Sequence, residues 1–205
     1  MGYSYLGVSD HSKSAYYANG LSEERIIEQH REIDELNKKL NDFKILKGIE
    51  VDILPDGGLD YSDDVLSSFD FVIASVHSKF NMTEEEMTER IIRAIRNKYV
   101  NILGHPTGRL LLSREPYKVD MERIIDEASK NDVILELNAN PYRLDIDWRE
   151  LKYAYQNKVR ICINPDAHNI EGINDKSILR KPKFMKPPDV IVVLIISAIL
   201  LAMLI

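Results

Sequence analysis

The sequence predicts an α/β fold with a parallel sheet, either an α/β barrel or a doubly wound sheet. Six β-like runs begin about 26 to 40 residues apart, which is the spacing of βα units. These runs are continuously apolar, as expected for strands that are covered on both faces. Most of the histidines stand at the ends of such runs. At 205 residues, the chain is long enough for one domain of this kind.

The predicted elements alternate regularly. Strands are predicted at residues 4–9, 44–50, 71–76, 99–104, 133–138 and 159–164. Helices are predicted at residues 22–40, 63–69, 83–95, 121–130 and 147–157. Ser22 is a candidate N-cap, and Thr83 with Glu86 has the pattern of a capping box. The order of elements therefore favours successive βα units.

Charge and cysteine content indicate which partners and which cellular compartment suit this protein. The 27 basic and 33 acidic residues give a net charge of −6, which argues against unspecific attraction to phosphate backbones. The lone cysteine, Cys162, lies inside a predicted strand and has no partner for an intrachain disulfide. No secretory signal pattern follows Met1. These features predict a cytoplasmic protein with Cys162 in its core.

The composition changes near the C-terminus. We expect a main domain at residues 1–177, a basic linker with prolines at 178–189 and an apolar tail at 190–205. As a helix the tail would reach roughly 24 Å, short of the ~30 Å hydrocarbon core of a membrane. Three interpretations stay open: a short membrane anchor on the cytoplasmic face, an apolar helix that covers an open barrel, and an artefact of the reading frame.

Ionisable side chains end several of the apolar runs. His11, His77 and His105 each follow a predicted strand, and Glu50 ends another. After the last strand, Asp166 and His168 are two residues apart, so that strand alternation would point them the same way. The carboxyl ends of parallel strands form the rim on which α/β barrels build active sites. The sequence therefore predicts a site at this rim.

The predicted site has the ligand chemistry of a transition-metal centre. Imidazole and carboxylate ligands suit Zn²⁺ or Mn²⁺, with Fe²⁺ as a further candidate, and are too rich in nitrogen for Ca²⁺ or Mg²⁺. Such ions clamp a phosphoryl group and lower the pKa of a water that attacks phosphorus. Any one of these residues alone is more often structural, but their joint placement favours phosphate-ester hydrolysis. The candidate ligands are His11, Glu50, His77, His105, Asp166 and His168.

Polar residues beside the ligands are candidates for holding a substrate. An arginine is well suited to clamp a phosphate group. Asp10 would point to the opposite face from His11, and we expect it to orient an imidazole. A role as ordinary surface charge is the alternative for each of these residues. The candidate substrate-binding residues are Ser12, Lys13, Arg109, Asn140 and Arg143.

Six blocks in series carry a family resemblance over residues 1 to about 175. In order and spacing they resemble the PHP (polymerase and histidinol phosphatase) domain, above all the version attached to bacterial and archaeal family X DNA polymerases. The blocks are Ser9-Asp-His-Ser12, Gly48-Ile-Glu-Val-Asp52, Ser75-Val-His-Ser78, Gly104-His-Pro-Thr-Gly-Arg109, Asn138-Ala-Asn-Pro-Tyr-Arg143 and Asp166-Ala-His168.

The resemblance implies a distorted (β/α)7 TIM-like barrel with up to three metal ions and phosphoesterase activity. Glu50, His77 and His105 match the ligands of one ion. Glu50 would bridge to a second ion that Asp166 also holds, and His11 and His168 match ligands of the third. The family's first motif, a His-x-His, should precede Met1. We therefore expect a barrel that lacks its first strand, with about six βα units and fewer than three ions.

The leading hypothesis is a metal-dependent phosphoesterase in which Asp166 and His168 are the candidate catalytic residues and Asp166 manages the proton. The resemblance implies either small phosphomonoesters or DNA 3′ ends as substrates. One alternative is a degenerate module, catalytically weak or inactive, that serves as a metal-binding or membrane-tethered interaction protein. Another is an exonuclease arm that works only beside a polymerase chain. The sequence does not determine the oligomeric state.

Overall fold

Six parallel strands form the centre of the fold in the computed structural model, which describes residues 4–168, 172, 190–192 and 195–196. Each strand pairs with the next one along the chain. The six strands are β1 (Tyr5–His11), β2 (Lys44–Asp52), β3 (Phe71–Ser75), β4 (Ile102–Leu103), β5 (Ile134–Asn138) and β6 (Ile161–Asn164). The prediction of an α/β fold, a partial TIM-like barrel of about six βα units, is confirmed.

Helices occupy the crossovers between these strands. They are α1 (Glu23–Asn37), α2 (Asp63–Leu66), α3 (Glu84–Ile95), α4 (Met121–Lys130) and α5 (Leu151–Gln156). The Ser22 hydroxyl accepts a hydrogen bond from the Arg25 N–H at the start of α1. Thr83 and Glu86 form the predicted capping box at the start of α3. These caps satisfy backbone donors that the first turn leaves unpaired.

Strand β2 shows how the sheet divides apolar from polar side chains. Ile49 and Val51 belong to the large apolar core that the helices cover. Glu50 and Asp52 alternate with them and point to the other face, as the period of a strand requires. On that inner face a small apolar cluster of Ile73, Ile102 and Cys162 fills the base of the barrel. Cys162 is therefore a core residue, as predicted.

Strand β4 is shorter than predicted. The sequence pattern suggested a strand at 99–104, but the structure has only Ile102–Leu103. The side-chain oxygen of Asn101 accepts a hydrogen bond from the Val72 N–H, and the Asn101 carbonyl accepts one from the Ile134 N–H. A side chain thus replaces part of the backbone ladder at the start of this strand. The register that brings residue 105 to the rim is nevertheless kept.

Two short strands from the apolar tail pair with the outer strands of the sheet. They are β7 (Val190–Val192), which pairs with β6, and β8 (Ile195–Ile196), which pairs with β1, both in parallel. Residues 192 and 195 are three positions apart, so their Cα atoms lie within about 11 Å. The tail therefore brings the two sides of the curled sheet together.

The pairing of the tail with β1 and β6 differs from the helix that the sequence suggested for it. The parts of it that the structure describes are strands, whereas a helix was expected. Within the described residues, no helix is both long and apolar enough to cross a membrane. The predicted linker at 178–189 lies outside the described residues, so the proposed boundaries between the main domain, linker and tail stay predictions.

Candidate metal centre

The predicted ligands gather at the carboxyl ends of the parallel strands. His11 is the last residue of β1, and Glu50 lies near the end of β2. His77 and His105 each follow their strand by two residues. Because parallel strands end at one rim, residues that are far apart in sequence come together there.

Glu50 is the centre of the closest group. Its Oε1 atom lies 3.2 Å from His77 Nε2 and 3.0 Å from His105 Nε2. Its Oε2 atom lies 3.7 Å from His11 Nδ1. Burial by itself would raise the pKa of Glu50, but the surrounding imidazoles hold that pKa well below its usual range. The Glu50 carboxylate is therefore kept charged inside the protein.

Asp52 holds one of these imidazoles and was not predicted as a site residue. Its Oδ1 atom lies 2.6 Å from His77 Nδ1, and its Oδ2 atom accepts a hydrogen bond from the Ser14 hydroxyl. Burial opposes protonation of His77, but the Asp52 and Glu50 carboxylates raise its pKa to about 9. A carboxylate on one ring nitrogen directs the other nitrogen toward a bound ion. Asp52 is placed to do this for His77 Nε2.

The donor set fits a transition-metal ion. Glu50, His77 and His105 offer ligand atoms that all lie within 4.8 Å of one another, and so do His11, Asp52 and His77. His11 Nδ1 and His77 Nε2 are buried and make no hydrogen bond within the described part of the chain. Buried ring nitrogens without hydrogen-bond partners can bind a metal cation, which displaces any proton that they carry. The assignment of individual ligands stays a prediction.

The β6 side of the rim is more open. The strand ends at Asn164, and Asp166 has a positive φ of 49°. The strand alternation used to pair Asp166 with His168 therefore does not apply, because neither residue is in the strand. Both residues nevertheless line the cavities at this rim, with His168 Nδ1 3.6 Å from Asp166 Oδ1. The His11 and His168 rings are 6.1 Å apart.

A cavity of about 320 Å³ opens between these residues. Tyr17, from the loop after β1, lies at its edge with its ring 6.0 Å from the His11 ring. Sequence reasoning missed Tyr17, because it lies in a short 3-10 helix (Tyr16–Ala18) six residues beyond the end of β1 and does not directly follow a strand. Other residues that line this cavity include Glu50, His105, Glu136, Asn164, Asp166 and His168.

Among the predicted substrate-binding residues, Arg143 has the most suitable position. It lines a smaller cavity of about 120 Å³ together with the candidate ligands. Its Nε atom lies 3.4 Å from Asp166 Oδ2, and its Nη1 atom is buried without a hydrogen-bond partner in the described part of the chain. A buried guanidinium nitrogen with a free donor is suited to an anionic oxygen.

The structure gives other partners to Ser12 and Arg109. Ser12 is fully buried, and its hydroxyl accepts a hydrogen bond from the Asp52 N–H. Arg109 donates to the carbonyls of Arg143 and Leu144 and pairs with a nearby aspartate. Both residues therefore hold segments of the chain at the rim, and direct contact of either with a substrate stays a prediction.

The remaining predicted residues lie around the site. Lys13 is half exposed and pairs with Glu23 at 3.6 Å. Asn140 accepts a hydrogen bond from the Tyr142 N–H. Asp10 accepts one from Gln29, a residue of α1. Their roles stay predictions.

Comparison with known proteins gives relatives of two kinds. The DNA polymerase/3′-5′ exonuclease PolX of Bacillus subtilis is 50% identical over 174 residues, which are 85% of this chain and 30% of that protein. A "probable phosphatase" of a Thermoanaerobacter species is 33% identical over 143 residues, 65% of this chain and 56% of that protein. A "probable phosphatase" of Caldicellulosiruptor bescii is 29% identical over 165 residues.

These similarities confirm the family resemblance inferred from the sequence. No family model matches the chain. The chain spans less than a third of the polymerase and about half of the Thermoanaerobacter phosphatase. What the chain itself acts on is therefore a separate question.

Proposed function

We propose that this chain, a member of the PHP superfamily, hydrolyses phosphate esters with the help of divalent metal ions. The observation that carries the proposal is the convergence of Glu50, His77 and His105 on one point of the rim, with their ligand atoms within 4.8 Å of one another. Imidazole and carboxylate ligands favour Zn²⁺ or Mn²⁺. The relatives named as phosphatases and as an exonuclease support a hydrolase of this type.

Different residues would have different roles in the proposed reaction. Bound ions would supply Lewis-acid activation of water and neutralise charge on the phosphoryl group. Glu50, His77 and His105 would hold one ion, and Arg143 would bind a phosphate oxygen through its free Nη1 atom. Asp166 would accept and return the proton at Oδ1, because Oδ2 is engaged by the Asn138 amide.

For the finer substrate we propose the 3′ end of a DNA strand. Two loops at the rim expose four aromatic side chains: Tyr16 and Tyr17 after β1, and Tyr142 and Trp148 after β5. Arg143, next to Tyr142, reaches the smaller cavity. Exposed aromatic rings beside a cationic group are suited to stack on unpaired bases, at about 1–3 kcal/mol per base. The name of the PolX relative fits this substrate.

Small phosphomonoesters are the second candidate. The relatives named as phosphatases favour them, and the net charge of −6 disfavours unspecific binding to DNA. In that case the aromatic side chains would bind a small organic leaving group, and activity would depend little on salt.

The test uses the purified chain with Mn²⁺ or Zn²⁺. We expect turnover of p-nitrophenyl phosphate, its bis ester or a DNA strand with an unpaired 3′ end, and loss of turnover on addition of a chelator. Metal bound at the site with no turnover of any of these substrates would contradict the enzyme proposal and favour a binding module.

A variant separates the two candidate substrates. Trp148→Ala should raise KM for the DNA strand by about fivefold or more, since a stacking contact is lost, with little change in kcat. Tyr5→Ala, another substitution of a partly exposed aromatic residue, is the control because Tyr5 lies at the start of β1, away from the rim. An unchanged KM for DNA in Trp148→Ala would favour small phosphomonoesters.

A further inference from the structure

A buried glutamate lies beneath the rim and has no role in the proposed chemistry. Glu136 is in the middle of β5, only 2% exposed, among strand neighbours that are mostly apolar. Burial raises its pKa to about 7, although the charge of His105 opposes this shift. A carboxyl group in such a place costs free energy unless it is hydrogen-bonded. Its partners therefore indicate why it is there.

Both oxygens of Glu136 accept hydrogen bonds from the chain. Oε2 accepts from the His105 backbone N–H at 2.6 Å and from the Asn138 side-chain amide at 3.3 Å. Oε1 accepts from the side-chain amide of Asn164 at 2.5 Å. These donors come from the ends of three neighbouring strands, β4, β5 and β6.

The two amides extend this network to a second candidate ligand. Asn138 Nδ2 also donates to Asp166 Oδ2 at 3.0 Å. The Asn164 side-chain oxygen accepts a hydrogen bond from the Asp166 N–H at 3.2 Å. Glu136 is thus connected to the backbone of His105 on one side and, through Asn138 and Asn164, to both the carboxylate and the backbone of Asp166 on the other.

We propose that Glu136 is a positioning residue that fixes His105 and Asp166 relative to each other, so that ligands from β4 and β6 meet in one metal centre. The proposal rests on the proposed function and adds to it the role of Asp166 as a metal ligand, which the sequence predicts. Glu136 is not itself placed as a ligand. Both of its carboxylate oxygens already accept hydrogen bonds from N–H donors of the chain.

The local backbone explains why His105 and Asp166 need hydrogen bonds that fix their positions. His105 and Asp166 both have a positive φ, 23° and 49°, and both lie beyond the ends of their strands. The regular ladder of the sheet therefore does not hold them. Replacing a residue that is hydrogen-bonded to a metal ligand typically lowers metal affinity or activity by about 10- to 100-fold.

The experiment compares metal affinity in Glu136→Gln and in a matched control, Glu127→Gln, using the full chain. Glu127 is also a buried glutamate with hydrogen-bond partners, Arg96 and Asn131, but it lies on α4, away from the rim. Glutamine keeps the size of the side chain, but its NH2 group replaces one acceptor oxygen and would face the N–H donors that surround Glu136. We expect about 10- to 100-fold weaker binding of Mn²⁺, titrated directly on the chelator-treated protein, only in Glu136→Gln.

Thermal unfolding of the metal-free proteins separates positioning from simple stability. Equal metal affinity in both variants, with a lower unfolding temperature in Glu136→Gln, would overturn the proposal and leave Glu136 a structural residue. If Glu136→Gln does not fold, Asn138→Ala cuts the connection from Glu136 to the Asp166 carboxylate and should weaken Mn²⁺ binding about tenfold. Unchanged binding in that variant would also overturn the proposal.

These outcomes are distinct from a failure of the proposed function. Metal affinity is measured without any substrate. A wild-type chain that binds Mn²⁺ but hydrolyses no phosphate ester would contradict the enzyme proposal, while the ratio of affinities would still test Glu136. A wild-type chain that binds no Mn²⁺ or Zn²⁺ would overturn both proposals.

Discussion

The two sides of the rim differ in how far their side chains are exposed to solvent. On the side of β2, β3 and β4, the side chains of Glu50, His77 and His105 are 11%, 8% and 3% exposed. On the side of β6, His168 is 60% exposed. The first group is shielded from solvent, whereas on the β6 side Asp166 is 15% exposed and His168 lies largely in solvent.

The difference follows from the position of each strand in the sheet. β2 is nine residues long and pairs with β1 over seven residues and with β3 over five. β6 is four residues long, and its outer neighbour is the three-residue strand β7 of the tail. A ligand on a strand that is held from both sides loses less entropy on binding an ion. We therefore expect the ion at Glu50, His77 and His105, here called the first ion, to depend more on the β2 side than on the residues that follow β6.

The most severe test of this comparison is Glu50→Gln. We expect activity to fall on the order of 10³-fold or more, because the carboxylate that three imidazoles surround is the negative charge of the group. Metal content per chain and kcat/KM on p-nitrophenyl phosphate are the measurements.

The control for that variant is Glu35→Gln, an exposed glutamate of α1 that pairs with Lys38. It should behave as the wild type. Retention of tight metal binding in Glu50→Gln would show that the β2 side is not the primary metal site and would reverse the comparison.

Removal of the tail tests the weaker side. A chain that ends at Pro188 loses the strands that pair with β6 and β1, and we expect the free energy of unfolding to fall by about 3 kcal/mol. Chemical denaturation of the metal-free protein measures it. Binding of the first ion should survive in this shortened chain, and its loss together with stability would show that the β2 side also depends on the tail.

Asp52→Asn should sharpen the picture of the β2 side. The amide no longer fixes the His77 ring with a charged acceptor, so affinity for Mn²⁺ should fall about 10- to 100-fold. Asp34→Asn, at an exposed aspartate paired with Lys47, is the matched control. Isothermal titration with Mn²⁺ compares the two variants, and equal affinities would mean that packing alone orients His77.

The smallest effect is expected for His168→Ala. Since this side chain is mostly exposed, its loss should reduce kcat about tenfold and leave the affinity for the first ion unchanged. His105→Ala serves as the comparison and should lower both quantities. Equal losses in the two variants would remove the distinction between the two sides of the rim.

Much of the candidate site was predictable because the candidate ligands follow recognisable strands. The histidines at 11, 77 and 105 were expected at one rim from the βα rhythm alone, and the structure brings them together around Glu50. Asp52 could have been found by the same logic, since it lies two residues after Glu50 and alternation puts both side chains on one face. Glu136 also gave a signal, as a charged residue inside an apolar run.

Other features left no mark in the sequence. Strand alternation does not describe Asp166 and His168, because the strand ends before them and Asp166 adopts a positive φ. Arg109 and Arg143 looked equivalent in sequence, yet the loop carbonyls occupy the first and leave a nitrogen of the second free. The apolar tail suggested a helix, while its described parts pair with both sides of the sheet.

The sequence by itself determined the α/β class, the order of the elements and the kind of ligands, because periodicity and strand ends are local properties of the chain. The tertiary structure alone decided which candidate ligands lie close together, which arginine keeps a nitrogen without a partner among the described residues and what Glu136 connects. These features depend on distances between residues that are tens of positions apart in the sequence. Such distances are set by how the strands pack and by which donors lie within hydrogen-bond distance of a buried carboxylate.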